Sequence, residues 1–332
     1  MRRVGIVGAG SISRIHAAAW ARLPVELAGW HDVVPEAAVA AAERWGGRPF
    51  DSLEDLLAEA DIVDVCTNVT AHPEPVLAAA QAGKAIVCEK PLARTVSQCE
   101  EILAACAERQ TPLFVAHVVR FFPEFEAARK TVQAGTIGKP GMIRTVRAGG
   151  FPRMGGGAAA RRYADFAQSG GVIMDVGIHD IDFHRWCMGE VERVFARGLL
   201  EADVPECDHA LLVLRFESGA IGHIEASWAH TPGRTRTHLE IAGDQGLVAW
   251  DSRDPSSLSW RTREDDMPMA QNALHEDDHP YFAELAHFLD CLDKGCEFRV
   301  TPHDALMAVK VSQAALLSIR TGQPVAIADF RE

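Results

Sequence analysis

Lys90 closely follows an apolar run, Ala85–Cys88, within the triplet Glu89-Lys90-Pro91. Beyond the carboxyl end of a strand, an ammonium group can hold a substrate hydroxyl and stabilise the alkoxide that develops as a hydride leaves. The bland reading is a surface ion pair between Glu89 and Lys90. Far downstream, Gly170-Gly171-Val172-Ile173-Met174-Asp175-Val176-Gly177-Ile178-His179 sets an acid and an imidazole four residues apart. On a helix that spacing places both on one face, where Asp175 can orient His179 and stabilise its protonated form. This is a base with its orienting group. Such pairs also occur on solvated helices, but the apolar, glycine-rich surroundings favour a site.

A nucleotide signal precedes both. Gly8-Ala9-Gly10-Ser11-Ile12-Ser13 directly follows the apolar run Val4–Val7 and opens a helical pattern, the context in which a dinucleotide fingerprint has meaning. Gly8 permits the tight turn, Gly10 lets the backbone approach a pyrophosphate, and the helix start at Ser11 and Ile12 offers N–H groups to it. Ser13 replaces the third glycine with another small residue. The second strand ends at His31-Asp32, with Asp32 24 positions after Gly8, where a carboxylate would bond a ribose diol. A 2′-phosphate would meet that charge, and no Arg or Lys lies between Asp32 and Glu43, so NAD is favoured over NADP. On the bland reading the glycines only make a turn and Asp32 only caps a helix.

The elements that must position these residues are also patterned. Over the first 118 residues, apolar runs at Val4–Val7, Val25–Trp30, Ile62–Cys66, Ala85–Cys88 and Pro112–Ala116 alternate with Ala-rich helical segments at 11–22, 35–45, 72–82 and 96–109. Continuous apolar strands between helices predict a parallel sheet covered on both faces, a doubly wound α/β domain over residues 1–119. After Arg120 the pattern changes. A helix is expected at 121–135, closed by Gly135, then a strand at 139–149, a glycine-rich stretch and an apolar helix at 172–188. Alternating runs at 191–200, 208–216, 219–228 and 236–242 follow, with helices near 278–293 and 303–320. Strands joined by tight turns predict a C-terminal α/β domain, 120–332, on a largely antiparallel sheet with an open face.

Composition narrows the classes. The chain has 332 residues, 48% hydrophobic and 24% charged, the balance of a compact globular protein with room for two domains. The 33 Lys and Arg against 46 Asp and Glu give a net charge of −13, which would repel polyanions, so no nucleic-acid partner is expected. No apolar stretch approaches a membrane span, and the apolar run after Arg3 is broken by Ser11, Ser13, Arg14 and His16, so neither membrane nor export is expected. The eight cysteines, Cys66, Cys88, Cys99, Cys106, Cys187, Cys207, Cys291 and Cys296, lack C-x-x-C spacing and read as reduced core residues of a cytoplasmic protein.

Taken in order, Gly8-Ala9-Gly10 with His16, Glu89-Lys90-Pro91, Arg120-Phe121, Gly135-x-x-Gly138-Lys139 and Gly171-x-x-x-Asp175-x-Gly177-x-His179-Asp180-x-Asp182 resemble the glucose–fructose oxidoreductase, inositol dehydrogenase and rhizopine-catabolism family. Each motif is weak alone; the ordered set is specific. The resemblance implies a Rossmann domain, then an α/β domain whose open sheet makes a homodimer or homotetramer. It also implies hydride transfer between NAD(P) and a secondary alcohol of a sugar, sugar acid or cyclitol. By position, Lys90 matches the lysine that polarises the substrate oxygen, His179 the proton-transfer base and Asp175 its acidic partner. Asp32, Glu89 and His72 match cofactor-side positions, as does the Thr67-Asn68 turn, where the family usually carries proline in the second place. Arg120 matches a position at the domain junction beside nicotinamide or substrate. The proline after the lysine is often cis in the family.

Two further features carry charged or ligand-type side chains. Between Ala127 and Ala164 lie eight basic residues and no acid: Arg129, Lys130, Lys139, Arg144, Arg147, Arg153, Arg161 and Arg162. Arg153, Arg161 and Arg162 could hold an anionic group on a substrate; a solvated arginine loop is the ordinary outcome. His275-Glu276-Asp277-Asp278-His279 and the pair His179 and His184 carry ligand-type side chains, but no third ligand is evident, and no metal is expected. Against the dehydrogenase stand an NAD-dependent glycosidase of the same fold and a silent NAD-binding regulator. The first typically carries an export signal, and the second has no need of Lys90, Asp175 and His179 together.

Overall fold

A computed structural model describes residues 1–152, 163–199, 208–230, 235–254, 258–262, 269–271 and 279–332. The chain forms two compact units, Met1–Val118 with Asp278–Leu306, and Val119–Asp277 with Met307–Glu332.

The first unit holds six parallel strands: β1 (Arg2–Val7), β2 (Val25–His31), β3 (Arg48–Pro49), β4 (Ile62–Val65), β5 (Ala85–Glu89) and β6 (Leu113–Ala116), in the order β3-β2-β1-β4-β5-β6. Every residue of β4, β5 and β6 is buried, which is why these strands read as unbroken apolar runs. The connections are α1 (Ser11–Trp20), α2 (Pro35–Trp45), α3 (Leu53–Glu59), α4 (Pro73–Gln81) and α5 (Val96–Arg109). Pro35 in the first turn of α2 and Ser52, whose side chain accepts the Asp55 N–H ahead of α3, are ordinary helix starts. The strand order reverses between β1 and β4, and ligands of such sheets bind at that reversal, beyond the carboxyl ends of the strands.

One helix joins this unit from the far end of the chain. The sequence reading kept residues 120–332 together; instead α8 (Pro280–Lys294) packs on the first unit. Phe288 of α8 meets Trp20 edge-on at 6.4 Å and Phe114 at 5.8 Å between ring centroids. The Arg22 guanidinium lies over the Phe282 ring. Amphipathic spacing reveals that a helix buries one face, not which surface receives it. The expectation of eight reduced cysteines is also corrected. Cys66, Cys88, Cys99, Cys106 and Cys187 are buried free thiols, but Cys291 and Cys296 form a disulfide at the end of α8. Cys207 lies outside the described residues.

The second unit contains α6 (Pro123–Gln133) and a nine-stranded sheet. Its main strands are β7 (Pro140–Ala148), β8 (Val191–Leu199), β9 (His209–Phe216), β10 (Ile221–Ser227), β11 (Arg236–Gly243) and β12 (Gly246–Asp251); β13 (Leu258–Thr262), β14 (Met269–Gln271) and β15 (Val325–Ala326) complete it. Neighbours run antiparallel except β7 beside β10. On β9, Ala210, Leu212, Leu214 and Phe216 are buried while Leu211 and Val213 are 40% and 45% exposed. One face is therefore core and the other open, as the alternation predicts. A π-helical turn, Ile173–Gly177, and α7 (Ile178–Met188) lie against β7 and β10 on the buried side; α9 (Pro302–Thr321) follows α8. Among the described residues, no helix is long and apolar enough to cross a membrane.

Candidate active site

The glycine turn is built for close approach. Gly8 has φ +96°, and a Cβ there would come within 2.8 Å of the Cys66 carbonyl carbon and the Thr67 nitrogen, so only glycine fits. Its N–H donates to the His31 carbonyl at 2.8 Å. Gly10 caps α1 with no side-chain hydrogen bond, and the first turn carries no acid. A Cβ on Gly10 would meet no protein atom within 4 Å. Packing does not demand that glycine, and its absence of a side chain leaves the helix start open to close approach. Ser11 is exposed and Ile12 half-buried at the same helix start. Ser13 is fully buried, and its hydroxyl donates to the Gly10 carbonyl at 3.0 Å, which lets a serine replace the third glycine without an orphaned polar group.

Asp32 both braces and caps. One carboxylate oxygen accepts the Ala9 N–H at 2.7 Å and the other the Val34 N–H, ahead of α2, at 2.8 Å. Each oxygen keeps capacity for another donor such as a ribose hydroxyl. Thr67 and Asn68 lead from β4 into a short helical turn, Val69–Ala71. His72 is buried there, with Nδ1 2.8 Å from the Pro91 carbonyl and Nε2 3.2 Å from the Thr67 carbonyl. Burial lowers its pKa despite these carbonyls, so the neutral ring donates through Nδ1 at the shorter contact. The expected cofactor-side histidine thus has both ring nitrogens turned onto backbone.

Lys90 is half-buried at the carboxyl edge of β5, and the Lys90–Pro91 peptide is cis. Glu89 is not the exposed partner of the bland reading, because it is only 6% exposed. One of its oxygens accepts the Lys90 N–H at 3.0 Å, and the other faces Nε2 of His16 at 3.1 Å. Nδ1 of His16 meets Asp64 at 3.0 Å. Sequence reading gave His16 no role and did not reach Asp64. The available signal was a carboxylate within the otherwise apolar run Ile62–Cys66, since charges are buried only with partners.

In the second unit, Asp175 lies in the π-helical turn and His179 in the first turn of α7, both half-buried. A continuous α-helix over 172–188 was expected. The π turn takes one more residue per hydrogen-bonded ring, and a 3.6-residue periodicity carries no signal for it; such turns gather at functional sites. The aspartates after His179 anchor the helix. Asp180 takes two hydrogen bonds from Arg147 of β7, at 2.8 and 3.2 Å. Asp182 takes two from Arg120, at 2.8 and 2.6 Å. Arg120 is 1% exposed, with its guanidinium also over the Trp186 ring. The residue expected beside nicotinamide or substrate therefore turns its fork onto Asp182.

The remaining candidates divide. His184 is buried, its Nε2 2.9 Å from the Thr145 hydroxyl, and burial pushes its pKa down to about 3. Of the basic run, Arg147 is held by Asp180, Lys130 pairs with Glu126, and Arg129 lies over Trp186. Arg153, Arg161, Arg162 and His275 through Asp278 lie outside the described residues. Among the described residues, His16, Asp64 and Cys66 bring ligand-type atoms within 4.8 Å of one another. Both His16 nitrogens already face carboxylates, and burial with Asp64 pushes the Cys66 thiol well up, so the group reads as a charge cluster.

A six-stranded parallel sheet with this glycine turn and acid, joined to a second domain, defines a nicotinamide-nucleotide oxidoreductase. The comparisons with known proteins agree. Residues 2–117 match an oxidoreductase family with an NAD-binding Rossmann fold, and residues 125–249 match the GFO/IDH/MocA C-terminal domain. The chain belongs to the GFO/IDH/MocA family of oxidoreductases. The scyllo-inositol 2-dehydrogenase (NAD(+)) of Bacillus subtilis is 30% identical over 85% of this chain and 82% of that one. The inositol 2-dehydrogenase of Rhizobium meliloti is 29% identical over 98% and 99%. The WlbA dehydrogenase of Bordetella pertussis, solved with NADH and UDP-GlcNAcA, superposes with a TM-score of 0.86 at 27% identity, covering 98% of this chain and 97% of that one.

Proposed function

We propose that this chain is an NAD-dependent dehydrogenase acting on a secondary alcohol of a sugar, sugar acid or cyclitol. The observation that carries this reading lies in one sheet. A glycine turn with open space at Gly10 follows β1, and Lys90 follows β5 at the same carboxyl edge. NAD, when bound, supplies the hydride acceptor. Gly8, Gly10, Ser11 and Ile12 present backbone to its pyrophosphate, Asp32 takes the ribose diol, and Thr67, Asn68, His72 and Glu89 shape the adjoining wall. Lys90 donates to the substrate oxygen and stabilises its developing negative charge. His179 accepts the hydroxyl proton, and Asp175 orients the ring and balances its charge. Arg120 acts through Asp182 by fixing α7.

NAD is preferred to NADP because Asp32 is followed by Val33 and Val34, neither of which can partner a 2′-phosphate. Arg153 would receive an anionic substituent of the substrate. Pairing of open sheet faces, with Leu211, Val213 and Ile221 among the exposed apolar residues, would build the homodimer or homotetramer.

The test is reduced-nicotinamide absorbance with myo- and scyllo-inositol, aldoses, sugar acids and a UDP-sugar acid, each against NAD and NADP. Net NADH formation with at least one of them is expected. Reduction with none contradicts the proposal, and glycoside cleavage without net NADH would assign an internal hydride cycle instead.

A further inference from the structure

Beneath the glycine turn lies a set of ionisable groups that the mechanism above does not use. His16, on α1, is fully buried. Its Nδ1 is 3.0 Å from Oδ2 of Asp64 on β4, and its Nε2 is 3.1 Å from Oε1 of Glu89 on β5. Asp64 also accepts the Trp20 indole N–H at 2.7 Å. With a carboxylate at each ring nitrogen, the ring donates from both, which makes it an imidazolium. Burial opposes that charge, but the Asp64 carboxylate, foremost among its neighbours, outweighs it and holds the His16 pKa well above the ordinary histidine value.

The groups facing His16 from the other packed elements support this. Directly after β4, the Cys66 thiol is pushed well up by burial and stays protonated. From α8, Tyr281 stacks at a tilt, 6.0 Å between centroids. Glu284, also from α8, is wholly buried with neither oxygen hydrogen-bonded; burial pushes its pKa well up, so it is neutral. One cation thus faces two anions, and Glu89 has a second task. Its other oxygen accepts the Lys90 N–H at 3.0 Å, while His72 Nδ1 holds the Pro91 carbonyl at 2.8 Å. The backbone is therefore held at the Lys90 N–H and again at the Pro91 carbonyl.

We propose that His16 is a positioning residue for hydride transfer: anchored by Asp64, it fixes the Glu89 carboxylate, which holds the Lys90 peptide and so sets where the Lys90 side chain begins. The proposal rests on the reading of Lys90 as the group on the substrate oxygen. A misplacement of about 1 Å at such a group costs on the order of 100-fold in rate. His16 touches neither substrate nor cofactor in this role and acts only through Glu89.

The test uses the full chain and the panel substrate that reduces NAD fastest. His16→Asn should lower kcat roughly 10- to 100-fold, with KM and the NAD dissociation constant within about threefold. Added to Glu89→Gln, it should lower kcat less than about threefold further, because the two act in series. Multiplied effects, or wild-type kcat in folded His16→Asn, would overturn the proposal. If that variant does not fold, Asp64→Asn takes its place in the same cycle. A readout independent of turnover is the 15N-histidine NMR spectrum without nucleotide: a ring protonated on both nitrogens at pH 8 is expected, and a neutral His16 ring at that pH overturns it. Stoichiometric metal lost on substituting His16 would do the same. Lys90→Met separates the two ideas. Wild-type turnover there removes the reading of Lys90 itself, whereas an inactive Lys90→Met beside a fully active His16→Asn removes only the positioning role.

Discussion

Two alanine substitutions two residues apart should behave in opposite ways. At Gly8 an alanine must adopt φ +96° and press its Cβ to 2.8 Å from backbone atoms of Cys66 and Thr67. The dihedral costs about 1–3 kcal/mol and the overpacking about 1–3 more. The neighbours are backbone atoms directly after β4, not flexible side-chain ends, and cannot swing aside. At roughly 2–4 °C per kcal/mol for chains of 150–250 residues, Tm should fall on the order of 10 °C. At Gly10 the backbone is extended, φ −79° and ψ −159°, and a Cβ meets nothing within 4 Å. Tm should hold or rise slightly, because alanine narrows the unfolded ensemble by about 0.4–1 kcal/mol. On the proposed placement of the pyrophosphate the methyl group would stand in its path, so NAD affinity should fall at least about tenfold, or roughly 1.4 kcal/mol. Thermal melts and NADH fluorescence titrations read both quantities. Wild-type NAD affinity in Gly10→Ala would refute the account of the cradle.

Other outcomes follow from the same geometry. His179→Ala should lower turnover by roughly 10²–10⁴-fold while leaving NAD affinity intact, measured by steady-state rates and fluorescence titration. Asp182→Asn weakens both hydrogen bonds from the buried Arg120 and should destabilise by about 1.5–3 kcal/mol in denaturant unfolding. Glu284 has a folded pKa well above its unfolded value. The folded state therefore binds more protons above about pH 4.5, and stability is lost as pH rises from there. Glu284→Gln removes that loss, so its Tm advantage over wild type should grow between pH 5 and pH 8; a constant difference would count against a buried neutral acid.

Much of the first domain was legible because strands buried on both faces leave unbroken apolar runs. The exceptions are physical. Strand β3 is two residues long, too short for any period, and the expectation skipped the helix at Leu53–Glu59 between runs it did identify. The return of α8 to the first unit depends on tertiary packing around Phe288 and Trp20. Of the proposed site residues, Gly8, Gly10, Asp32 and Lys90 stand out through spacing relative to strand ends, and Asp175 and His179 through their separation by four within a glycine-rich apolar stretch. Arg120 and His72 were expected at the site from motif position, but their contacts, with Asp182 and with backbone carbonyls, were not legible, since a motif position does not say whether a side chain faces a ligand or braces a neighbour. His16, Asp64, Glu89 and Glu284 come from four separate elements, and only Asp64, a charge inside an apolar strand, hints at the cluster locally.

Lys90 and His179 are assigned to one carbinol whose hydride passes to NAD, and label transfer tests that assignment most directly. A panel substrate deuterated at the reacting carbon is incubated with enzyme and NAD, and the NADH is weighed by mass spectrometry. Wild-type enzyme should yield NADH carrying one deuterium, with formation slowed at least about 100-fold in both Lys90→Met and His179→Ala. Unlabelled NADH, or labelled NADH appearing at the wild-type rate in either variant, would contradict the account.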